Sequence, residues 1–233
     1  MKNSLNLKFY KSSLLRRHDF EMYQISKLIT KAGTALDIGA NIGFYSYHCS
    51  KIFTKVHAFE PISVISENLR QYSNKNEKIV LHDYALSNKS EEAYISVPKI
   101  ANKDILNYGY ASLSNEFEEM IKIKINKRTL DSFNLNNIDF IKIDVEGHET
   151  EVIEGGLKTI SENKPLILIE IEKRHSGMKA HETIQLLISI GYKCFFYENK
   201  IRKSYDEFCF DTHQNKDNLG SARYICNFFF ISC

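Results

Sequence analysis

The chain of 233 residues has no pair of cysteines at C-x-x-C spacing. Its five cysteines, Cys49, Cys194, Cys209, Cys226 and Cys233, are odd in number and scattered. That excludes a zinc cluster or a disulfide framework, and reduced thiols in a cytoplasmic protein are expected. No apolar run approaches the length of a membrane span, and Met1–Lys8 lacks the apolar core of a signal peptide. Charge of one sign is also missing. The net charge is +2 with lysines dispersed, so a basic patch for nucleic acid is not expected. Repeats, low-complexity tracts and linkers are absent as well. What remains is an ordinary globular composition, 43% hydrophobic and 26% charged, in a chain long enough for one large α/β domain.

The most informative stretch is Ala35-Leu36-Asp37-Ile38-Gly39-Ala40-Asn41-Ile42-Gly43-Phe44-Tyr45-Ser46. An apolar strand, a turn bracketed by glycines and the start of a helix form a nucleotide-binding corner. Glycine lets backbone approach a ligand, and the helix start offers free N–H groups. The Gly39-x-x-x-Gly43 spacing is neither the dinucleotide fingerprint nor a P-loop. Asp37 before the turn points to a cationic, amino-acid-like ligand head. Glu60, ending the next strand in His57-Ala58-Phe59-Glu60-Pro61, is placed to accept from a ribose diol. S-adenosylmethionine carries both groups. Either acid alone reads more simply as a helix cap or a solvated strand end; the pair with the glycine turn favours the cofactor.

Along the chain, residues 13–32 carry helix-spaced apolar positions, with Arg16, Arg17 and His18 on a solvated face. Strands are expected at 34–38, 55–59, 79–83, 138–145 and 165–171, alternating with helices, which implies a parallel sheet. Ala93–Val97 and Ile121–Ile125 read as an antiparallel addition at a sheet edge. Tyr192–Tyr197 and Asn227–Ile231 read as an antiparallel pair. The loop 98–113 (Tyr108, Tyr110, Ser112) and the polar excursion 198–224 are candidates to cover a site. The three parts are an N-terminal helical segment (1–32), a cofactor-binding core (33–172) and C-terminal strands with an acceptor-side loop (173–233).

These residues resemble the FkbM family of class I S-adenosylmethionine-dependent methyltransferases. The resemblance runs through Leu36–Ser46, Ala58-Phe59-Glu60-Pro61, Ala85-Leu86-Ser87, Thr129-Leu130-Asp131 and Ile138–Glu149, where Lys142-x-Asp144-x-Glu146-Gly147 is its most specific part. It covers residues 33–172 and implies a Rossmann-like, seven-stranded, mostly parallel sheet with helices on both faces and an antiparallel last strand. It also implies methyl transfer to a hydroxyl, often of a sugar or another secondary metabolite. Asp37, Gly39, Ala40, Asn41, Gly43 and Phe44 would surround the cofactor's methionyl part. Glu60 and Pro61 would lie at the ribose, Tyr84, Ala85 and Leu86 near the adenine, and Asp144 beside them.

A sugar hydroxyl is a weak nucleophile, so a base or a metal must assist. Asp144, Glu146, His148 and Glu170, at the ends of adjacent strands, are the catalytic candidates. Lys142 shares a strand face with Asp144 and needs a carboxylate partner, so a structural ion network is its simplest role. Asp144, His148, Glu170 and His175 could hold a divalent ion, but without a compact ligand motif no metal is assigned. Tyr108, Tyr110, Ser112, Arg174 and His175 are expected to touch the acceptor, with arginine suited to a diphosphate. A nucleotide sugar in polysaccharide or secondary-metabolite biosynthesis is the favoured acceptor. The alternatives are an amide or phosphorylated acceptor, a non-catalytic cofactor-binding subunit, and a nicotinamide enzyme. The last is disfavoured by the missing G-x-G-x-x-G.

Overall fold

The computed structural model describes residues 15–98, 113, 120–219, 221 and 223–233. In chain order the elements are α1 (Leu15–Leu28), β1 (Thr34–Ile38), α2 (Phe44–Ile52), β2 (Lys55–Phe59), α3 (Ser63–Ser73), β3 (Ile79–His82), β4 (Ala85–Leu86), β5 (Glu91–Pro98) and β6 (Met120–Arg128). They continue with β7 (Ile138–Ile143), α4 (Glu149–Glu154), α5 (Leu157–Asn163), β8 (Leu166–Glu170), α6 (Lys173–Ser176), α7 (Lys179–Ser189), β9 (Tyr192–Glu198), β10 (Ile201–Ser204), α8 (Phe210–His213) and β11 (Asn227–Ser232).

The main sheet runs β10-β9-β11-β8-β7-β1-β2-β3. Strands β8, β7, β1, β2 and β3 pair in parallel, and β11 inserts antiparallel between β8 and β9. The expected antiparallel last strand is therefore present, but the sheet has eight strands rather than seven. The added one is β10, which folds back on β9 in a hairpin with Asn199 and Lys200 at its tip. Strands β5 and β6 pair antiparallel as expected. They do not extend the main sheet edge, however; with β4 they form a separate sheet of order β4-β6-β5. Ile95, Val97 and Ile125 of that sheet bury against Ile62 and Ile65, the latter on α3, giving it its own apolar contact beside the C-terminal edge of β2.

Two-residue alternation splits the central strands into two apolar layers. Leu36, Ile38, Ile141, Ile143, Ile167 and Ile169 face α4 and α7. Ala35, Phe140, Leu166 and Leu168 face α1 and α2 through Ile25, Cys49 and Phe53. Asp37 and Lys142, paired in register across β1 and β7, fall on this second face. Glu170 also does, two residues beyond Leu168. The polar members of the face thus gather where the parallel strands end, the edge at which open α/β sheets bind ligands. Among the described residues no helix is long and apolar enough to cross a membrane.

Candidate active site

The turn after β1 is tight because of its glycines. Gly39 has φ +77°, and a Cβ there would lie 1.8 Å from the Asp144 carbonyl oxygen, so the ends of β1 and β7 meet only over glycine. The Gly39 and Ala40 amides donate to the Phe59 carbonyl, tying the turn to the end of β2. Glu60 follows there, buried, with Oε2 accepting from the Asn41 amide at 3.0 Å and Oε1 from the Ile62 amide at 2.9 Å. Burial pushes its carboxyl up to about 7 despite those two donors.

Over this corner opens a cleft of about 710 Å³. Gly39, Asn41, Glu60, Pro61, Tyr84, Ala85, Leu86, Asp144, Glu146 and His148 line it, all singled out from the sequence. Ile38, Ile62, Ile65 and Val145 line it too, with Ile95 from the second sheet and Leu113. These apolar walls had no signal in the sequence, since nothing local says that β5 folds over the turn after β2. A fixed carboxylate with lone pairs to spare, apolar walls and a turn with no room for a Cβ fit the ribose, adenine and backbone approach of S-adenosylmethionine.

Other expected cofactor residues stand behind this wall. Asp37 is buried and accepts from Ser46 Oγ, and burial lifts its carboxyl to about 6. Gly43 packs on Leu69, Ala40 is buried, and Phe44 sits in the core against the His48 ring. They shape the corner rather than line the cleft.

Beside the cleft a smaller hollow is lined by Asp144, Glu146, Gly147, Glu149, Glu170, Glu172 and His175. Lys142 Nζ, almost completely buried, stands 3.7 Å from Asp144 Oδ2 and 4.0 Å from Glu170 Oε2, and donates to the Ile143 carbonyl. Burial pulls its pKa down, yet the Asp144 and Glu170 charges outweigh this and leave it raised. The neighbouring Asp144 charge, then burial, push Glu170 up to about 7. Glu146 has a left-handed backbone (φ +52°) and its Oε2 lies 3.2 Å from His175 Nε2. Burial, then the charges of Asp144, Glu170 and Glu172, push its carboxyl up to about 9, so it is protonated at neutral pH.

His148 is held from both sides, with Nε2 3.0 Å from Ser87 Oγ and Nδ1 3.6 Å from Glu151 Oε2. Burial lowers its pKa, against the opposing pull of the Glu151 carboxylate. Arg174 forks onto Glu172, which also accepts from the Tyr224 hydroxyl at 2.6 Å. This Glu172–Arg174–Tyr224 group was not expected, because neither the i, i+2 capture nor the distant tyrosine leaves a pattern in the sequence. Tyr108, Tyr110 and Ser112 lie outside the described residues. For a metal, Glu170, Glu172 and Cys226 bring ligand atoms within 4.8 Å of one another. Arg174 on Glu172 and Lys142 beside Glu170 already supply positive charge there, so a divalent ion would have to displace or outcompete two cations.

The family model described as Methyltransferase FkbM domain matches residues 37–194. Among curated proteins, the hexuronic acid methyltransferase AglP of Haloferax volcanii is 28% identical over 152 residues, 65% of this chain and 59% of that protein. Among solved structures, methyltransferase FkbM from Methylobacillus flagellatus matches with a TM-score of 0.57 at 18% identity, covering 91% of this chain and 47% of that one. An rRNA methylase from Streptococcus thermophilus matches with a TM-score of 0.51 at 9% identity, over 92% of both chains. At such identities the structures speak for the fold, a class I methyltransferase fold, and their different names leave the acceptor open. This chain spans about half to three-fifths of the length of the FkbM and AglP proteins. With the matched region covering most of the chain and including both the cofactor corner and the acidic strand ends, the chain belongs to the FkbM methyltransferase domain family.

Proposed function

We propose that the protein is an S-adenosylmethionine-dependent O-methyltransferase whose acceptor is a sugar or nucleotide sugar. The carrying observation is the placement of Asp144, Glu146 and Glu170 at the ends of β7 and β8, with Asp144 lining both the cofactor cleft and the acidic hollow. The name of the AglP relative, a hexuronic acid methyltransferase, supports a sugar as acceptor class.

When bound, S-adenosylmethionine supplies an activated methyl on a sulfonium sulfur, so a new O–C bond forms as the S–C bond breaks. The chain's task is to orient the acceptor hydroxyl and take its proton. Glu170, poised near 7, suits the base, with Lys142 beside it to steady the carboxylate. Asp144 is the second candidate, nearer the cofactor cleft. Glu146, protonated, cannot act as a base but can donate a hydrogen bond to the acceptor oxygen. His148, engaged with Ser87 and Glu151, orients the wall between them.

The test is incubation with methyl-labelled S-adenosylmethionine and a panel of nucleotide sugars. An alkali-stable label in a sugar product is expected, as an ether survives where a methyl ester is cleaved. Label appearing only in amide or phosphorylated acceptors would refute the sugar reading.

A further inference from the structure

On the same sheet face as Asp37, Lys142 and Glu170 there is a second and larger cleft of about 1190 Å³. It lies between α1, the β9–β10 hairpin and the start of β11. Phe20 and Glu21 come from α1, Tyr197, Asn199 and Lys200 from the hairpin, and Cys226, Asn227 and Phe229 from the β11 side. Two features connect it to the acidic hollow. Asn227 pairs in register with Glu170 across β11 and β8. The Cys226 sulfur, in the wall of this cleft, lies within 4.8 Å of a Glu170 carboxylate oxygen. Glu170, which lines the acidic hollow with Asp144, thus adjoins two residues of this cleft's lining, Cys226 and Asn227.

The lining has the chemistry of a carbohydrate site. Phe20 and Tyr197 meet edge to face at 5.1 Å, and Tyr197 is held by its hydroxyl donating to Gln24 at 2.9 Å. A half-buried, immobilised aromatic pair suits the apolar C–H face of a sugar ring. The Glu21 carboxylate and the Asn227 side chain supply polar groups for hydroxyls, and the Asn227 Oδ1 has no hydrogen-bond partner among the described residues. Lys200, exposed at the hairpin tip with φ +66°, brings a cation to the rim that makes no ion pair with any described residue. A few polar groups set in a mainly apolar cavity are the usual make-up of a small-molecule site. Arg174, the arginine expected to bind an anionic acceptor, is committed to Glu172; Lys200 is the cation this cleft offers.

We propose that this second cleft is the acceptor subsite: the sugar ring lies on Phe20 and Tyr197, an anionic group of the acceptor pairs with Lys200, and a hydroxyl is directed past Cys226 and Asn227 toward Glu170 in the adjoining acidic hollow. The inference rests on the sugar-methylating reading above. The anion can be a uronate carboxylate or a nucleotide diphosphate, and the test separates the two.

The full chain, loaded with S-adenosylhomocysteine, is titrated by ligand-observed NMR with glucuronic acid, UDP-glucuronic acid and UDP. Wild type, Lys200→Gln and Phe20→Leu are compared, with calorimetry of S-adenosylhomocysteine on each. UDP-glucuronic acid is expected to bind wild type and to weaken about fivefold in Lys200→Gln and in Phe20→Leu, the effect of a rim charge or a trimmed ring face. Cofactor-product affinity should stay within twofold. Weakening of glucuronic acid in Lys200→Gln assigns the carboxylate, and weakening of UDP the diphosphate. Because Lys200 is exposed, that variant is expected to keep the wild-type melting temperature even if Phe20→Leu loosens α1. Equal affinities in all three proteins, or no binding of any probe to wild type, overturn the subsite. Equal affinities alongside intact sugar methylation overturn the subsite alone. Loss of S-adenosylhomocysteine binding by wild type overturns the functional reading beneath it.

Discussion

Replacing Glu60 by alanine separates the two duties of that carboxylate. In the folded chain it accepts the Asn41 and Ile62 amides at 3.0 and 2.9 Å. Its removal strips the partner from two backbone donors, each costing about 1–3 kcal/mol if left dry. The cleft is open at this point, so water can reach the gap, and the stability loss should fall at the low end of that range. The cofactor loses a charge-assisted acceptor for its ribose hydroxyls, about 1–3 kcal/mol or roughly 5- to 150-fold in affinity. Titration calorimetry with S-adenosylhomocysteine reads the second effect, and a thermal melt reads the first. Since the ionised carboxylate is the better acceptor and its pKa lies at about 7, wild-type affinity should also rise as pH passes from 6 to 8, and the alanine variant should lose that rise. An affinity within twofold of wild type, with the melt lowered, would show that Glu60 only braces the turn and would remove the ribose assignment.

Gly39→Ala should cost more than about 2 kcal/mol and abolish cofactor binding, because its Cβ meets the Asp144 carbonyl and a left-handed φ adds about 1–2 kcal/mol; a melt within 2 °C of wild type would contradict this. Ligand-free stability should fall as pH rises from about 5 to 9, through Glu60, Glu170 and Glu146 up to about 7 and through Glu146 alone above it. Glu60 and Glu170 (about 7) and Glu146 (about 9) hold protons in the folded state that the unfolded chain has already released, giving up to about 1.4 kcal/mol per pH unit for each such proton; urea titrations in which stability rises over that window would refute the assignment. Activity should survive EDTA, the cations at Glu170 and Glu172 being side chains; loss on chelation with recovery on adding a divalent ion would place a metal there.

Much of the fold was legible because its central strands are short apolar runs between turn signals. Residues 34–38 and 55–59 match β1 and β2 to the residue. Strand β10 was not legible. Ile201-Arg202-Lys203-Ser204 is polar, and its two-residue turn puts Asn199 and Lys200, both at positive φ, where a hairpin usually advertises itself with glycine. Strands β5 and β6 showed their mutual pairing through alternation, but their separation from the main sheet depends on contacts with Ile62 and Ile65 far off in sequence. At the site, residues at strand ends such as Glu60, Asp144 and Glu170 were readable because topology carries them to one edge. The orientation of Asp37 toward Ser46, the capture of Arg174 by Glu172 and the contribution of α1 to a cleft are tertiary contacts that local spacing does not encode.

The most direct measurement is the methyl-transfer rate, with cofactor affinity in parallel, in Asp144→Asn, Glu146→Gln, Glu170→Gln and His148→Asn. The account predicts a loss of about 10²–10⁴ in turnover for Glu170→Gln or Asp144→Asn, with cofactor affinity nearly intact. Near-normal turnover in all four would contradict it and move the base away from the ends of β7 and β8.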